Sequence, residues 1–284
     1  MEIRQDITYN FDFLGMQDPF RLKNMEIALK RIIKAVNERE KIVIYGNCDL
    51  DGVTAVSLLF LVLKYLNADV EYFISDDMDD KLNINSRLIK NHIKFLGAKL
   101  ILTTGCGSQS ISQVELCKKL GMDVIVTDYH KYKGVLPRAV VINPNQRSCN
   151  YPFKDLTAVG VAFKLSQAIS VYYQMKSVSK YLDLVLLGTL SKGIRVTGEN
   201  KEIVNQGLYH LNYTNNHGFR ALLKVYGIKN INRDSIFKLS NNMRLSTKNK
   251  RYIDNARIAV ELFITENMDR AEQIAKYLKN EILD

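Results

Sequence analysis

The chain is poor in the features that would place it outside the ordinary run of globular proteins. Its four cysteines, Cys48, Cys106, Cys117 and Cys149, include no CxxC pair, so free thiols in a reducing compartment are the expected state. No apolar run is long enough to span a bilayer. The opening residues Met1-Glu2-Ile3-Arg4-Gln5-Asp6 lack the basic-then-apolar pattern of a signal peptide, which predicts a cytoplasmic protein without a membrane partner. There is no internal repeat, no low-complexity tract and no Pro/Gly-rich linker, so any second part is expected to pack on the first.

What is present is enough for one large domain or two modest ones. The 284 residues are 46% hydrophobic and 25% charged, which suits a sizeable core. The net charge is +10, and it is unevenly placed. From Arg220 to Arg251 there are nine basic residues and one acid, Asp234. Such a run is either a solvated face or a surface that tracks phosphates.

Hydrophobic spacing sets the fold class. Asp18-Pro19 has the form of a helix start, and Met25, Ala28, Ile32, Ile33 and Val36 follow at helical spacing. The short apolar strand Ile42-Val43-Ile44-Tyr45 ends at Gly46, an acidic loop runs to Gly52, and a helix carries Val53 to Leu66. Further strands are expected at Val70–Ile74, Leu100–Thr103, Val124–Val126 and Ala139–Ile142, with helices near Ser86–Phe95 and Ser110–Leu120. The alternation predicts an α/β fold: a mostly parallel, doubly wound sheet with helices on both faces. After Thr157 strand signals fade. The expected division is an α/β domain over 1–195 and a helical extension over 196–284, basic between 220 and 251. Ligands of open parallel sheets sit beyond the carboxyl ends of the strands. The polar loops Gly46–Gly52, Thr104–Ser108 and Thr127–Lys131 should therefore form the site.

Those loops carry a family resemblance. Gly46-Asn47-Cys48-Asp49-Leu50-Asp51-Gly52 resembles the Gly-Asp-Tyr-Asp-x-Asp-Gly signature of RecJ-type members of the Asp-His-His (DHH) phosphoesterases. Leu102-Thr103-Thr104-Gly105-Cys106-Gly107 falls on the second motif, and Val126-Thr127-Asp128-Tyr129-His130 on the name-giving one. Asn143 to Lys154, Ala158 to Phe163 and Leu186 to Lys192 resemble later segments, in the same order, so the likeness runs from about Asp18 to about Thr265. The usual second, nucleic-acid-binding domain is expected to be absent.

The resemblance implies a single-strand-specific exonuclease chemistry, in which two Mn²⁺ or Mg²⁺ ions held by hard oxygen ligands and imidazole activate water. Carried over position by position, the site is altered. Asp49, Asp51, Asp128 and His130 remain as catalytic remnants, with Asp49 and Asp51 the surviving metal ligands. The other implied metal positions hold Asn47, Gly105, Tyr129 and Lys192. An ammonium about 4 Å from a cation is opposed by roughly 4 kcal/mol per unit charge at an effective dielectric of 20. Lys192 is therefore expected to act as an internal counter-ion to Asp49 or Asp51, or else to point to solvent. Neither metal nor other cofactor is expected, and Mn²⁺ or Mg²⁺ only if the chain is an active enzyme. The bland readings are an acidic turn favoured by a helix dipole for Asp49 and Asp51, tight loops for Gly46 and Gly52, and a hydrogen-bonding role for His130 in place of a phosphate contact. A zinc-type set of Cys48, Cys106, His130 and one aspartate is a further alternative.

Arg244 falls on the first arginine of a C-terminal family signature, and with Lys248, Lys250 and Arg251 it is expected to touch nucleic acid. The functional expectation is a catalytically degenerate RecJ-like protein that binds single-stranded DNA or RNA, or a replication or repair protein. The alternatives are a weakly active phosphodiesterase or 5'-3' single-strand exonuclease, and a protein-interaction subunit that binds no nucleic acid.

Overall fold

In a computed structural model, which describes residues 15–75, 82–132, 134–243 and 252–283, five short strands form one sheet. They are β1 (Ile42–Gly46), β2 (Val70–Ile74), β3 (Leu100–Thr104), β4 (Asp123–Thr127) and β5 (Val140–Ile142), in the spatial order β2-β1-β3-β4-β5. Every pairing is parallel, with Ile42 opposite both Val70 and Leu100, and Leu100 opposite Asp123. The sheet is thus wholly parallel.

Side chains alternate across a strand, so each strand feeds two cores. Ile42 and Ile44 of β1 point into one core, while Val43 and Tyr45 point into the other. The smaller core is closed by α3 (Ser86–Asn91), a 3-10 turn Ile93–Leu96 and α4 (Ile111–Lys119). The larger is closed by α1 (Met25–Asn37), α2 (Leu50–Tyr65) and α5 (Ala158–Tyr172). Both faces are therefore covered, which is why the strands read as continuous apolar runs.

The larger core extends into the second half. There α6 (Leu182–Ser191), α7 (Gly198–Leu211), α8 (His217–Val225), α9 (Arg233–Asn242), α10 (Tyr252–Ile264) and α11 (Met268–Leu283) succeed one another. Helices α2, α5 and α6 have apolar residues on all sides, as expected of helices enclosed by others. α2 packs against α5, α6 and α10, so the late helices rest on the same layer that covers the sheet. Among the described residues no helix is long and apolar enough to cross a membrane.

The chain departs from the sequence expectation at its first helix. Asp18-Pro19 opens only a 3-10 turn, Pro19–Arg21, whose Phe20 N–H donates to Asp18 Oδ1 at 2.9 Å. Asn24 then adopts a left-handed conformation, φ 69°, and α1 begins at Met25. A cap and a proline start any helical turn; continuation needs the next backbone angles to follow, and here they do not.

Candidate functional site: a cleft at the carboxyl edge of the sheet

The loops after β1, β3 and β4 meet, because the parallel register brings the strand ends side by side. Gly105 N–H donates to Thr127 O at 2.8 Å, and Asn47 Nδ2 donates to Gly105 O at 3.2 Å. The turn after β1 is tight. A Cβ added to Gly52 would lie 2.4 Å from Asn47 O, so this position admits only glycine.

Asp49 and Asp51 have separate duties in the backbone. Asp49 is the N-cap of α2, and its Oδ1 accepts from Gly52 N–H at 2.8 Å. Asp51 is buried one residue into the same helix and faces the start of α5. Its Oδ1 accepts from Val159 N–H at 2.8 Å and its Oδ2 from Ala158 N–H at 3.0 Å. The partial positive charge of the α5 terminus and these two donors help to hold the carboxylate.

Lys192, just past the end of α6, brings the compensating charge. Its Nζ donates to Asp49 Oδ2 at 3.2 Å and lies 5.4 Å from the centre of the Tyr129 ring. Burial disfavours the ammonium, but the carboxylates of Asp49 and Asp51 and the Tyr129 hydroxyl outweigh it and push the Lys192 pKa above its usual value. Burial pushes the Asp51 carboxyl up to about 6, helped by Asp49 and opposed by Lys192 and the two α5 N–H groups. Burial likewise pushes the Tyr129 phenol up to about 12, again with help from Asp51 and against the pull of Lys192. It therefore stays neutral.

On the other side of Tyr129 stands His130, their ring centroids 4.2 Å apart. His130 Nδ1 is 2.7 Å from Asp128 Oδ1. Asp128 is almost wholly buried, and its Oδ2 accepts from Ser108 N–H at 3.1 Å. Burial works against its charge, but the His130 ring and the N–H donors of Ser108 and His130 prevail and lower the carboxyl pKa. Asn143 completes the arrangement by donating to Ser108 Oγ at 3.2 Å and to the His130 carbonyl at 3.0 Å. Sequence reading placed Ser108 only as the last residue of the Thr104–Ser108 loop and Asn143 only as the start of a later motif, and gave neither a role in the site.

Most side chains of this cleft are already committed to other partners. Asp51 has both oxygens engaged by backbone donors, and Asp49 is shared between a helix cap and an ammonium. Asn47 offers one buried amide oxygen without a partner among the described residues, a lone neutral acceptor. Gly105 offers no side chain. Among the described residues, no three His, Cys, Asp or Glu side chains gather into a group that would hold a metal ion. The zinc alternative is not assembled either: Cys48 and Cys106 are buried and belong to no such group among the described residues.

The expected nucleic-acid contacts Arg244, Lys248, Lys250 and Arg251 lie outside the described residues. Of the same basic stretch, Arg220, Lys224, Lys229, Arg233 and Lys238 are exposed, and Lys224 pairs with Glu272 at 2.5 Å.

A wholly parallel sheet, covered on both faces and carrying a polar cleft at its carboxyl edge, defines the class as an α/β protein with its site at the strand ends. The family model for the DHH family, N-terminal domain, matches residues 41–189, and the chain belongs to that family as a RecJ-like member. It is 36% identical over 262 residues to the single-stranded-DNA-specific exonuclease RecJ of Bacillus subtilis strain 168, a match that covers 91% of this chain and 32% of the relative. With the RecJ of Escherichia coli K12 it shares 29% identity over 93% of this chain and 48% of the relative. The chain thus spans about a third to a half of these relatives. Its fold matches that of RecJ in complex with Mn²⁺ from Thermus thermophilus, with a TM-score of 0.80 at 24% identity over 92% of this chain and 38% of that one. An exonuclease RecJ bound to manganese gives a TM-score of 0.83 at 24% identity, over 92% of this chain and 66% of that one.

Proposed function

We propose that this chain is a catalytically degenerate RecJ-like module, which engages single-stranded nucleic acid or a replication or repair protein without cutting a phosphodiester. The observation that carries this reading is the Lys192–Asp49 contact at 3.2 Å. A fixed ammonium occupies the side of the cleft where the family resemblance calls for metal-facing carboxylate. It balances the charge of Asp49 and Asp51 and opposes a divalent cation beside them. Asp51, turned to the start of α5, serves as a helix-terminus acceptor in place of a ligand.

In this reading the cleft keeps a polar wall that recognises a phosphate. Asp128 fixes the His130 ring through Nδ1, which directs Nε2 away from that bond. Lys192, Tyr129 and His130 then form a row of one cation, one neutral phenol and one imidazole along the opening. The exposed basic residues of α8 and α9 add a sequence-independent attraction for a polyanion.

A second reading is a metal-dependent phosphodiesterase or 5'-3' single-strand exonuclease. It is favoured by the relatives themselves, which are named single-stranded-DNA-specific exonucleases and align over more than nine-tenths of this chain. It also draws on the intact Asp128–His130 pair. Calorimetric titration with Mn²⁺ beside a cleavage assay on an end-labelled single strand separates the two. Absence of stoichiometric Mn²⁺ binding and of cleavage supports the degenerate module; tight binding with turnover establishes the nuclease. Salt-dependent affinity for the strand, measured on the same protein, separates both from a subunit that binds protein alone.

A further inference from the structure

The family cleft lies at one end of the α2/α6 layer. At the other end is a cavity of about 430 Å³, bounded by the C-terminal turn of α2, the start of α6, the α7–α8 connection and the end of α10. The ten residues of α6 separate Lys192 from this cavity by about 15 Å of helix. The two sites are therefore distinct, and the second does not rest on the function proposed for the first.

Its lining has three chemical parts. The first is aromatic. Tyr65 and Tyr213 are 54% and 73% exposed, although a tyrosine ring left in water forgoes the burial that normally holds it. Tyr209, 62% exposed, extends the patch by packing against Tyr213 with centroids 5.6 Å apart.

The second part is cationic. Lys180 Nζ sits 5.0 Å from the Tyr65 ring and 4.8 Å from the Tyr181 ring. Lys64 Nζ lies 5.5 Å over Phe60. Neither lysine forms an ion pair among the described residues, so both ammonium groups are held on aromatic faces and remain free to meet an anion.

The third part consists of hydrogen-bonding groups. His217 Nδ1 is buried and has no partner among the described residues. Asn215 is exposed on the lining beside it, and Glu266 stands on the wall supplied by the segment after α10. Asp183 closes the floor, but its oxygens accept from Thr214 Oγ1 at 2.6 Å and Leu184 N–H at 2.7 Å and are turned to the protein.

We propose that this cavity binds one nucleotide, its base against Tyr65 and Tyr213, its phosphate at Lys64 and Lys180, and the polar edge of the base toward His217, Asn215 and Glu266. A flat aromatic ligand with an anion at one end and N–H donors at the other uses all three parts of the lining. An inorganic anion would leave the tyrosines in water, and an apolar ligand would leave Lys64, Lys180 and Asn215 without a polar partner. Bases of every kind stack on aromatic side chains, so the site discriminates little among them. The same chemistry is offered by a free mononucleotide and by one residue of a single strand.

Two probes distinguish these sources: 5-iodo-deoxyuridine monophosphate, and an oligothymidylate carrying a single 5-iodo-deoxyuridine. Each is irradiated with the full chain, and adducts are mapped by peptide mass spectrometry. Adducts on the peptides holding Tyr65 or Tyr213 are expected. Labelling by the mononucleotide points to a free nucleotide, and labelling by the oligonucleotide alone points to a strand.

Calorimetry with thymidine monophosphate and anisotropy with the labelled strand then give affinities. Tyr213→Ala and Lys180→Gln should each weaken binding of the labelling probe by about tenfold or more. Phe95→Ala, an exposed aromatic elsewhere on the surface, should leave it unchanged. Absence of adducts at these peptides with both probes overturns the proposal, as does unaltered labelling in both cavity variants. Because the readout is the position of the adduct, strand binding at the family cleft does not imitate a positive result.

Discussion

A Cβ built on Gly105 would fall 2.8 Å from the Cβ of Ala158, at a backbone φ of +69°. Gly105 occupies the position where the family resemblance calls for a metal-bridging aspartate, and a side chain placed there is crowded and strained. Lys192→Asp alone is expected to yield neither Mn²⁺ binding nor cleavage. Gly105→Asp alone should cost about 2 kcal/mol or more of stability, from crowding and from the left-handed backbone. Rebuilding the site calls for Asn47→Asp, Gly105→Asp, Tyr129→His and Lys192→Asp together, with Ala158→Gly to make room. Calorimetry and an end-labelled strand assay check each step, and Mn²⁺-dependent cleavage by Lys192→Asp alone would contradict this account.

Lys192→Met tests the counter-ion from the stability side. Asp51, already pushed up to about 6, should rise further once the ammonium is gone. The Lys192 side chain is a quarter exposed and that of Asp49 is 40% exposed, so solvent screening limits the loss to about 1–2 kcal/mol at pH 8. The deficit should shrink by pH 5, where Asp51 takes up a proton and the cleft needs less positive charge. Urea unfolding of both proteins at the two pH values measures this; a deficit equal at both would remove Asp51 from the explanation.

A second buried charge cluster makes a contrasting case. Lys164 pairs with Glu199, and both are nearly inaccessible to water. Glu199 also accepts from Tyr151 Oη at 2.6 Å and Gln17 N–H at 3.1 Å, and Lys164 Nζ donates to Gln17 O at 2.8 Å. Removing one charge strands the other, so Glu199→Gln should cost about 3–5 kcal/mol. The double variant Lys164→Met/Glu199→Gln should recover part of that. Denaturant midpoints report both, and additive losses would argue against a coupled pair.

Asp183 gives the pH dependence a sign. Burial pushes its carboxyl up to about 6, against hydrogen bonds from Thr214 and the Leu184 N–H. Over the range from the ordinary carboxylate pKa to about 6, the folded chain keeps a proton that the unfolded chain has released. This group therefore lowers stability as pH rises from about 4 to about 6, and its effect is constant above that. Asp183→Asn should flatten this part of the profile by roughly 2–3 kcal/mol. Thermal melts from pH 4 to 7 compare the slopes, and parallel profiles would show an unperturbed carboxyl.

Much of the fold was legible because it rests on period and order. Continuous apolar strands alternating with helices specify a parallel sheet whatever the details of packing, and that sheet forces the three polar loops together. The boundaries were less legible. The Ser86–Phe95 helix closes at Asn91 and resumes as the 3-10 turn Ile93–Leu96, and the Asp18-Pro19 start gives a single turn. In both places local propensity sets how a helix begins, and neighbouring backbone angles set whether it continues. The cavity at the far end of α6 was not legible at all, because its tyrosines and lysines come from separate segments.

The amino-acid sequence by itself determined the DHH-type order of motifs, since these are identities at fixed spacing, and the residues Asn47, Gly105, Tyr129 and Lys192 that the resemblance sets at its metal positions. Only the tertiary structure decided that Lys192 meets Asp49 while Asp51 turns to the start of α5, and that Gly105 is hemmed in by Ala158. The physical reason is range. A motif records which groups enter a cleft, but which charge pairs with which depends on distances of a few ångströms between residues far apart in the chain, and packing alone fixes those.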